Sequence, residues 1–323
     1  MTQSYLEFEK PIAALEGQIR ELRDVDRGTG NNDGIDLVAE INRLEGKAHE
    51  QIIKLYKNLD PWQKTQVARH PARPHCKDYI AELVEDFVPL AGDRLYSEDH
   101  AVIAGLGRWQ GQRVAILGHE KGSTTDARLK HNFGMARPEG YRKAIRVMDL
   151  AERFDLPVVT LVDTAGAYPG IGAEERGQSE AIARCTDKCL QLGVPFVSLI
   201  IGEGGSGGAL ALATGNRILM LEHSIYTVAS PEACASILWR SSAQANLAAD
   251  ALKVTAQNLQ GLGVIDRILP EPVGGAHRDR KKTMRDVGMA ISEELAQMAG
   301  QSPKQLRDAR HQKFLDMGRT GII

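Results

Sequence analysis

The chain has 323 residues, of which 42% are hydrophobic and 25% are charged, and its formal net charge is −2 at pH 7. This composition is typical of a globular protein with one large core or two domains, and near-neutral charge gives no general reason to expect nucleic-acid binding. No basic start followed by an apolar run marks a secretory signal, and no uncharged apolar stretch is long enough for a membrane span, so we expect a cytoplasmic protein.

The four cysteines form no C-x-x-C pair, which argues against both a structural zinc site and a disulfide framework. They are Cys76, Cys185, Cys189 and Cys234. Because Cys185 and Cys189 are four residues apart in a helical pattern, we interpret them as two buried small residues.

Residues 1–100 are predicted to be a helical N-terminal extension. Two segments carry apolar residues at three- and four-residue spacing, and the turn-rich stretch GTGNNDG (28–34) separates them. This arrangement predicts an antiparallel helix pair whose apolar stripe must be covered, because such helices gain most of their stability from packing.

The pattern changes at residue 101, where short β-branched runs begin to alternate with helical segments. Two β-like runs surround a Gln110-Gly111 turn, a helix is expected over 139–155, and buried strands follow at "LPVVTLVDTAG" and "VPFVSLIIGEG". The run 217–230 is predicted to be one further strand. Such alternation indicates an α/β core, 101–275, built on a mainly parallel sheet, followed by C-terminal helices over 276–323.

A glycine-rich run, "IGEGGSGGAL" (201–210), lies between a predicted buried strand and a short helix. Five of the seven residues from Gly202 to Gly208 are glycine. Glycine permits close approach of the backbone, and a helix N-terminus exposes unpaired N–H groups that attract negative charge. We expect tight helix–sheet packing to explain one or two of these glycines, which leaves the others available to meet an anion.

Two familiar motifs overlap the run, and each remains an alternative. Gly202, Gly204 and Gly207 with Glu222 fit the dinucleotide fingerprint, but about eight residues separate Gly207 from Gly215, too few for the usual crossover helix.

The second alternative is a serine hydrolase with Ser206 as its nucleophile, because Gly204-Gly205-Ser206-Gly207-Gly208 contains G-x-S-x-G. Either Asp250 or Asp266, followed by His277, has the required chain order.

A third interpretation needs no catalytic side chain, because two adjacent main-chain N–H groups at a helix N-terminus form an oxyanion hole. A second loop supports it: "DTAGAYPGIGAEERGQ" (163–178) also follows a buried strand and opens a helix. Both loops are expected at the same edge of the parallel sheet, where ligands usually bind. Six basic residues are expected either to contact phosphate groups or to form a solvated helix face: Lys121, Arg128, Lys130, Arg142, Lys143 and Arg146.

Several segments together resemble the α subunit of the carboxyltransferase of bacterial acetyl-CoA carboxylase, in order over nearly the whole chain. They include "HNFGMARPEGYRKA", "DTAGAYPGIGAEERGQSEAIAR", "IGEGGSGGAL", "SPEACASILW" and "PEPVGGAHR". The chain departs from the usual family pattern at Ala165, where proline is common, and at Ala233, where glycine is common. The resemblance implies a crotonase-like fold, a spiral of β-β-α units.

The resemblance also implies a reaction and partners. The carboxyl group would pass from carboxybiotin, carried on the biotin carboxyl carrier protein and not bound covalently to this chain, to acetyl-CoA. The product would be malonyl-CoA, for fatty-acid biosynthesis. A β subunit bearing a four-cysteine zinc ribbon would complete an α2β2 assembly, with biotin carboxylase in the full complex and no metal in this chain.

Matching to the wider superfamily places the oxyanion hole for the ureido oxygen of biotin at Gly207 and Gly208, with Gly204 and Gly205 as second choice. Charge left on that oxygen when the carboxyl group departs would be stabilised by backbone amides. Tyr168 and Gly170 are expected to shape the biotin slot, and the chain is expected to be active only with its β subunit.

Overall fold

The computed structural model describes residues 4–28 and 34–319. The strands are β1 Val84–Pro89, β2 Val102–Trp109, β3 Gln112–His119, β4 Val158–Thr164, β5 Phe196–Gly205, β6 Arg217–Leu221, β7 Ile225–Thr227 and β8 Arg267–Leu269. The first seven helices are α1 Lys10–Gly28, α2 Gly34–Tyr56, α3 Pro61–Ala68, α4 Cys76–Leu83, α5 Thr125–Lys130, α6 Pro138–Arg153 and α7 Ile171–Glu175. The other helices are α8 Gln178–Gln191, α9 Ser206–Leu210, α10 Pro231–Trp239, α11 Ala245–Ala251, α12 Ala256–Gly261, α13 Arg280–Gln297 and α14 Pro303–Asp316.

All strands of the described chain join one mixed sheet in the order β1-β2-β3-β4-β5-β6-β8, with β7 paired to the end of β5. The β1–β2 and β2–β3 pairs are antiparallel, and the pairs from β3 through β6 to β8 are parallel. The predicted hairpin is confirmed, because Gln110 and Gly111 take the positive φ angles of 46° and 83° that a tight turn between twisted strands requires. Because most strand pairs are parallel, the expectation of a mainly parallel sheet is also confirmed.

Apolar layers cover both faces of the sheet. Val158 and Val162 of β4 pack into one core cluster with helices α6 and α8, whereas Val159 and Leu161 pack into the other. Because alternate residues of a strand point to opposite faces, a strand buried on both sides has to be apolar throughout. Cys185 and Cys189 are buried in the first cluster, as interpreted from the sequence.

The N-terminal helices form the expected antiparallel pair. Ile12 near the start of α1 clusters with Ile52 near the end of α2, and Ile19 clusters with Ile41 and Leu44. The predicted break between them falls mostly on residues 29–33, which lie outside the described residues.

The prediction that residues 1–100 are helical is wrong for β1. This strand contains two acidic residues and lies at the edge of the sheet, so its sequence lacks the apolar run of a central strand. The run 217–230 is likewise two strands, β6 and β7, because the chain turns at Glu222 and His223. Division of the chain at residues 100 and 275 stays a prediction.

A buried guanidinium group helps to attach the C-terminal helix α14 to the core. Arg310 is fully buried and donates hydrogen bonds to the carbonyl oxygens of Cys189 and Leu192, each at 2.8 Å. Of the helices in the described ranges, none combines the length and apolar character needed to cross a bilayer.

Candidate functional site

Two loops meet at the carboxyl edge of the sheet, as the sequence predicted. Strands β4 and β5 are parallel neighbours with Thr164 opposite Gly204, so residues 165–170 and 206–208 leave the sheet side by side. The contact is close: a Cβ added to Gly205 would lie 2.2 Å from the carbonyl oxygen of Ala165.

Internal packing explains four of the five glycines of the run, so the expectation that it explains one or two is wrong. An added Cβ would lie 2.5 Å from Asp163 Oδ1 at Gly202, 2.7 Å from Tyr226 Cδ2 at Gly204, 2.2 Å from Ala165 O at Gly205 and 2.5 Å from Ala167 N at Gly208. Each distance is shorter than non-bonded carbon atoms tolerate. Gly207 is the exception, because its added Cβ would meet only Ile182 Cγ2, at 3.4 Å. The close approach of a ligand to the backbone therefore remains a reason for glycine at position 207, where internal packing does not require it.

The two predicted pairs of amide donors lie in different local structures. Gly207 and Gly208 belong to the first turn of α9, where N–H groups have no carbonyl partner within their own helix. Gly204 and Gly205 lie within β5 and pair with β7, and Gly204 also pairs with β4, so their backbones belong to the sheet. Which pair binds an oxygen stays a prediction, and the first pair has the more available donors.

An apolar groove with a volume of about 370 Å³ runs beside Ser206 and Gly207. Its lining includes Leu210, Ile218, Tyr226, Val228, Leu259 and Phe314. Pockets that are mostly apolar with a few polar groups at one side are typical ligand sites. Here the polar groups include main-chain groups at the start of α9 and the side chains of Ser206 and Thr227.

Tyr168 is held in place by its neighbours on both sides. Its N–H donates to the carbonyl oxygen of Ala136 and its own carbonyl accepts from Gln178 Nε2, both at 2.9 Å. Its ring lies where a side chain at Gly170 would be, since an added Cβ there would be 2.3 Å from Tyr168 Cε1. The Arg137 guanidinium carbon lies 4.9 Å from the ring centroid. The structure thus brings Tyr168 and Gly170 together, and their role in binding biotin stays a prediction.

Two buried polar side chains behind Gly208 were missed by sequence reasoning. The Tyr141 hydroxyl lies 3.0 Å from the position of an added Gly208 Cβ, and burial raises its pKa. His119, at the end of β3, is fully buried near the Gly208 backbone, and burial lowers the pKa of its imidazole to about 4, so the ring is neutral at pH 7. The Tyr141 hydroxyl has no hydrogen-bond partner among the described residues.

The serine hydrolase alternative lacks its triad. Asp266 is engaged by Lys313 and by the Ile218 amide, and Asp250 pairs with Lys253. The ring of His277 stacks on His70 with centroids 3.8 Å apart, at the junction with the N-terminal helices.

The dinucleotide alternative fails for the reason that its spacing indicated. Helix α9 has five residues, so it cannot serve as the crossover helix of that motif. Glu222 is used within the protein, since its carboxylate accepts the Glu271 amide.

The basic residues between 121 and 146 do not form one surface. Lys121 bridges two carboxylates, Lys143 pairs with Glu98, and Arg146 donates to the carbonyl oxygens of Leu90 and Gly92. Arg142, another of the six basic residues, is also engaged, by Asp93, Glu139 and the carbonyl oxygen of Arg176. The structure therefore gives most of this group internal roles.

The fold is similar to that of solved carboxyltransferases. Transcarboxylase 12S superimposes with a TM-score of 0.57 at 17% identity, over 70% of this chain and 42% of that chain. The geranyl-CoA carboxylase beta subunit of P. aeruginosa gives a TM-score of 0.55 at 16% identity, over 78% of this chain and 46% of that one. The chain thus spans less than half the length of these two proteins. A Pseudomonas malonate decarboxylase hetero-tetramer gives a TM-score of 0.54 at 20% identity, over 65% of this chain and 84% of that chain.

These likenesses define a crotonase-like α/β fold of the carboxyltransferase type. The family model described as acetyl co-enzyme A carboxylase carboxyltransferase-like matches residues 5–318. The chain is 61% identical over 319 residues to the acetyl-coenzyme A carboxylase carboxyl transferase subunit alpha of Paracoccus denitrificans, covering 99% of both chains. It is 59% identical over 317 residues to that of Rhodopseudomonas palustris, covering 98% of both.

The chain therefore belongs to the family of acetyl-CoA carboxylase carboxyltransferase α subunits. Members of this family are transferases in biotin-dependent catalysis, and each is one subunit of a larger complex. The resemblance read from the sequence motifs is confirmed.

Proposed function

We propose that this chain binds the biotin side of a carboxyl transfer from carboxybiotin to acetyl-CoA, giving malonyl-CoA for fatty-acid synthesis. The observation that carries the proposal is the first turn of α9: the Gly207 and Gly208 amides have no partner within their helix, and Gly207 borders the apolar groove. Family membership over residues 5–318 supplies the reaction class.

The residues present fit a biotin ring system. Bound carboxybiotin supplies the transferable carboxyl group and a ureido oxygen that gains negative charge as the group departs. A groove of about 370 Å³ with an apolar lining has room for a compact bicyclic ring. Tyr168, which packs on Gly170, does not line this groove; its assigned role in shaping the biotin slot rests on its place in the loop that contacts residues 206–208.

The chain's contribution to the chemistry is electrostatic. The Gly207 and Gly208 N–H groups donate to the ureido oxygen, and each such donor typically contributes about 2.7–4 kcal/mol of transition-state stabilisation. Because these donors are main-chain groups on a short helix packed against the sheet, they need little reorganisation. No titratable side chain of this chain acts as the base.

The partners belong to the same proposal. A β subunit with a four-cysteine zinc ribbon would hold acetyl-CoA and the oxyanion hole for its thioester, in an α2β2 assembly. The biotin carboxyl carrier protein would deliver the biotin, and biotin carboxylase would recharge it. A cytoplasmic location is also part of this proposal.

The proposal is tested by co-expressing the chain with the zinc-bearing subunit and measuring malonyl-CoA formation from acetyl-CoA and carboxylated carrier. We expect product with both chains and none with either chain alone. Product from this chain alone, or no product from the pair, would overturn it. Hydrolysis of acyl esters that is lost in Ser206→Ala would favour the hydrolase instead.

A further inference from the structure

Three charged side chains meet where β3, β4 and β5 end. Lys121 follows β3, Asp163 lies in β4 and Glu203 lies in β5. Lys121 Nζ is 2.8 Å from Asp163 Oδ1 and 2.7 Å from Glu203 Oε2. The side chains are 17%, 7% and 8% exposed, respectively. A single ammonium group therefore joins the ends of two neighbouring strands just before the two loops of the candidate site.

The β4–β5 ladder is irregular at this point. Val162 lies opposite Ile200, but Thr164 lies opposite Gly204, so two residue steps of β4 span four of β5. In this gap the Asp163 carboxylate accepts the Glu203 N–H at 2.9 Å and so replaces a backbone ladder bond. The Asp163 carboxylate thus helps to fix the alignment of β4 and β5 where regular backbone pairing is interrupted.

A guanidinium group extends the cluster to a third element. Arg69, just after α3, donates from Nε to Glu203 Oε1 at 2.6 Å and also forms an ion pair with Glu232 in the first turn of α10. The position of Glu203 is therefore fixed from two sides, by Lys121 and by Arg69.

The cluster keeps its charges at neutral pH. Burial lowers the pKa of Lys121, but the carboxylates of Asp163 and Glu203 outweigh burial and leave the pKa above its ordinary value. Burial raises the pKa of Glu203, but Lys121 and Arg69 outweigh it and leave that pKa below its ordinary value. Removing the ammonium would leave two nearby carboxylates without their shared cation, which is unfavourable in a buried site.

We propose that Lys121 is a positioning residue for carboxyl transfer: by bridging Asp163 and Glu203, it fixes the loop 165–170 against residues 206–208. The inference rests on the proposed function, because it assigns to Lys121 the role of supporting the proposed biotin site. The loops are in direct contact at Gly205 and Ala165, so a change in strand spacing alters the position of the Gly207 and Gly208 amides relative to Tyr168. A misplacement of about 1 Å can lower a rate about 100-fold.

The chain offers a matched control for a lysine that bridges two carboxylates. Lys188 Nζ is 2.7 Å from Asp149 Oδ1 and 2.5 Å from Glu152 Oε2, and its side chain is 16% exposed. This bridge joins α6 and α8 rather than the two loops. Lys121→Met and Lys188→Met therefore each remove a lysine that bridges two carboxylates, and only the first removes it beneath the site. The carboxylates of Asp149 and Glu152 are 60% and 31% exposed, so the comparison is made on kcat and not on stability.

The first measurement compares the two variants in the assembled enzyme with the β subunit. We expect Lys121→Met to lower kcat for malonyl-CoA formation by about 10- to 100-fold with a much smaller change in KM for the carrier. Lys188→Met is expected to retain the wild-type kcat at a temperature where both variants are folded. Equal kcat values for the two variants would overturn the inference.

The second measurement is chemical rescue, which a general loss of stability does not produce. A cavity of about 260 Å³ is lined by Arg69, His75, Lys121 and Glu203, among others, so a small amine can reach the vacated position in Lys121→Ala. We expect ethylammonium to restore kcat in Lys121→Ala in a saturable manner, and to leave Lys188→Ala unchanged. A wild-type kcat in Lys121→Ala, or a lowered kcat that ethylammonium does not raise, would contradict the inference.

The third measurement does not depend on activity. Hydrogen–deuterium exchange of peptides covering 164–172 and 203–210 is expected to accelerate in Lys121→Met and to stay unchanged in Lys188→Met. If Lys121→Met does not fold, Glu203→Gln, which keeps the size of the side chain, is expected to show the same faster exchange and lower kcat. If the wild-type complex makes no malonyl-CoA, the proposed function fails, whereas unchanged exchange in both cluster variants refutes the positioning role.

Discussion

Replacing Gly207 with alanine separates the stability of the fold from the proposed chemistry. The added methyl group would meet only Ile182 Cγ2, at 3.4 Å, and Gly207 does not have the positive φ that alanine avoids. Alanine in a helix is favoured over glycine by about 0.5–1 kcal/mol, so the free energy of unfolding is expected to rise slightly. For a chain of 323 residues this corresponds to an increase in Tm of about 1 °C.

Carboxyl transfer is expected to fall in the same variant. Loss of one oxyanion-hole donor costs about 2.7–4 kcal/mol, or about 100- to 1,000-fold in kcat. A methyl group beside the amides restricts the approach of the ureido oxygen without removing an N–H group, so we expect a decrease of about 10- to 100-fold. The assay is malonyl-CoA formation by the assembled enzyme at saturating acetyl-CoA and carboxylated carrier.

Gly46→Ala is the matched control, because Gly46 lies within α2 and an added Cβ there has no neighbour within 4 Å. We expect a similar small stabilisation and an unchanged kcat. A Gly207→Ala enzyme that is stable and transfers carboxyl groups at the wild-type rate would refute the reasoning.

Four further outcomes follow from the same geometry. Gly208→Ala is expected to destabilise the chain by about 1–3 kcal/mol in chemical denaturation, because its methyl group would clash with the 165–170 backbone. Gly170→Ala is expected to displace the Tyr168 ring and raise KM for the biotinylated carrier, measured in steady-state kinetics. Ser206→Ala is expected to keep most of the carboxyltransferase activity. Burial lowers the pKa of His119 from about 6.5 to about 4. Between these pH values the unfolded chain binds a proton that the folded chain does not, so the free energy of unfolding is expected to fall by about 3 kcal/mol as the pH drops from about 6.5 to about 4. In His119→Gln, denaturation measured as a function of pH is expected to show a weaker dependence.

Each of these outcomes has a clear contrary result. A Gly208→Ala chain as stable as the wild type would show that the two loops are not in contact. An unchanged KM for the carrier in Gly170→Ala would show that Tyr168 does not shape the biotin slot. Loss of carboxyl transfer in Ser206→Ala would show that the Ser206 hydroxyl takes part in the reaction. An identical pH dependence in His119→Gln would leave the acid sensitivity to other buried histidines, of which His277, with its pKa lowered to about 3 mainly by burial, is one.

The sequence predicts the elements that carry strong local signals. Apolar β-branched runs locate β4 and β5, and the turn at Gln110 and Gly111 locates the first hairpin. Strand β1 is missed because an exposed edge strand buries little and so needs no apolar pattern. The glycine run is located correctly, but the reasons for its glycines are not, because Asp163, Tyr226 and Ala165 approach it from distant parts of the chain.

The charged cluster under the site is also missed, although a signal for it exists. Lys121, Asp163 and Glu203 each lie at or just beyond the end of an apolar strand of a parallel sheet, where carboxyl ends converge. Charged residues at successive strand ends therefore predict an ion-pair cluster. Its bridging geometry depends on the irregular β4–β5 register, which local sequence does not encode.

The central claim is that two main-chain amides, those of Gly207 and Gly208, bind the ureido oxygen of biotin. A structure of the assembled enzyme with biotinylated carrier in the site measures this directly. We expect the ureido oxygen about 2.7–3.1 Å from both amide nitrogens. An oxygen held instead by a side chain, or by the amides of Gly204 and Gly205, would contradict the account.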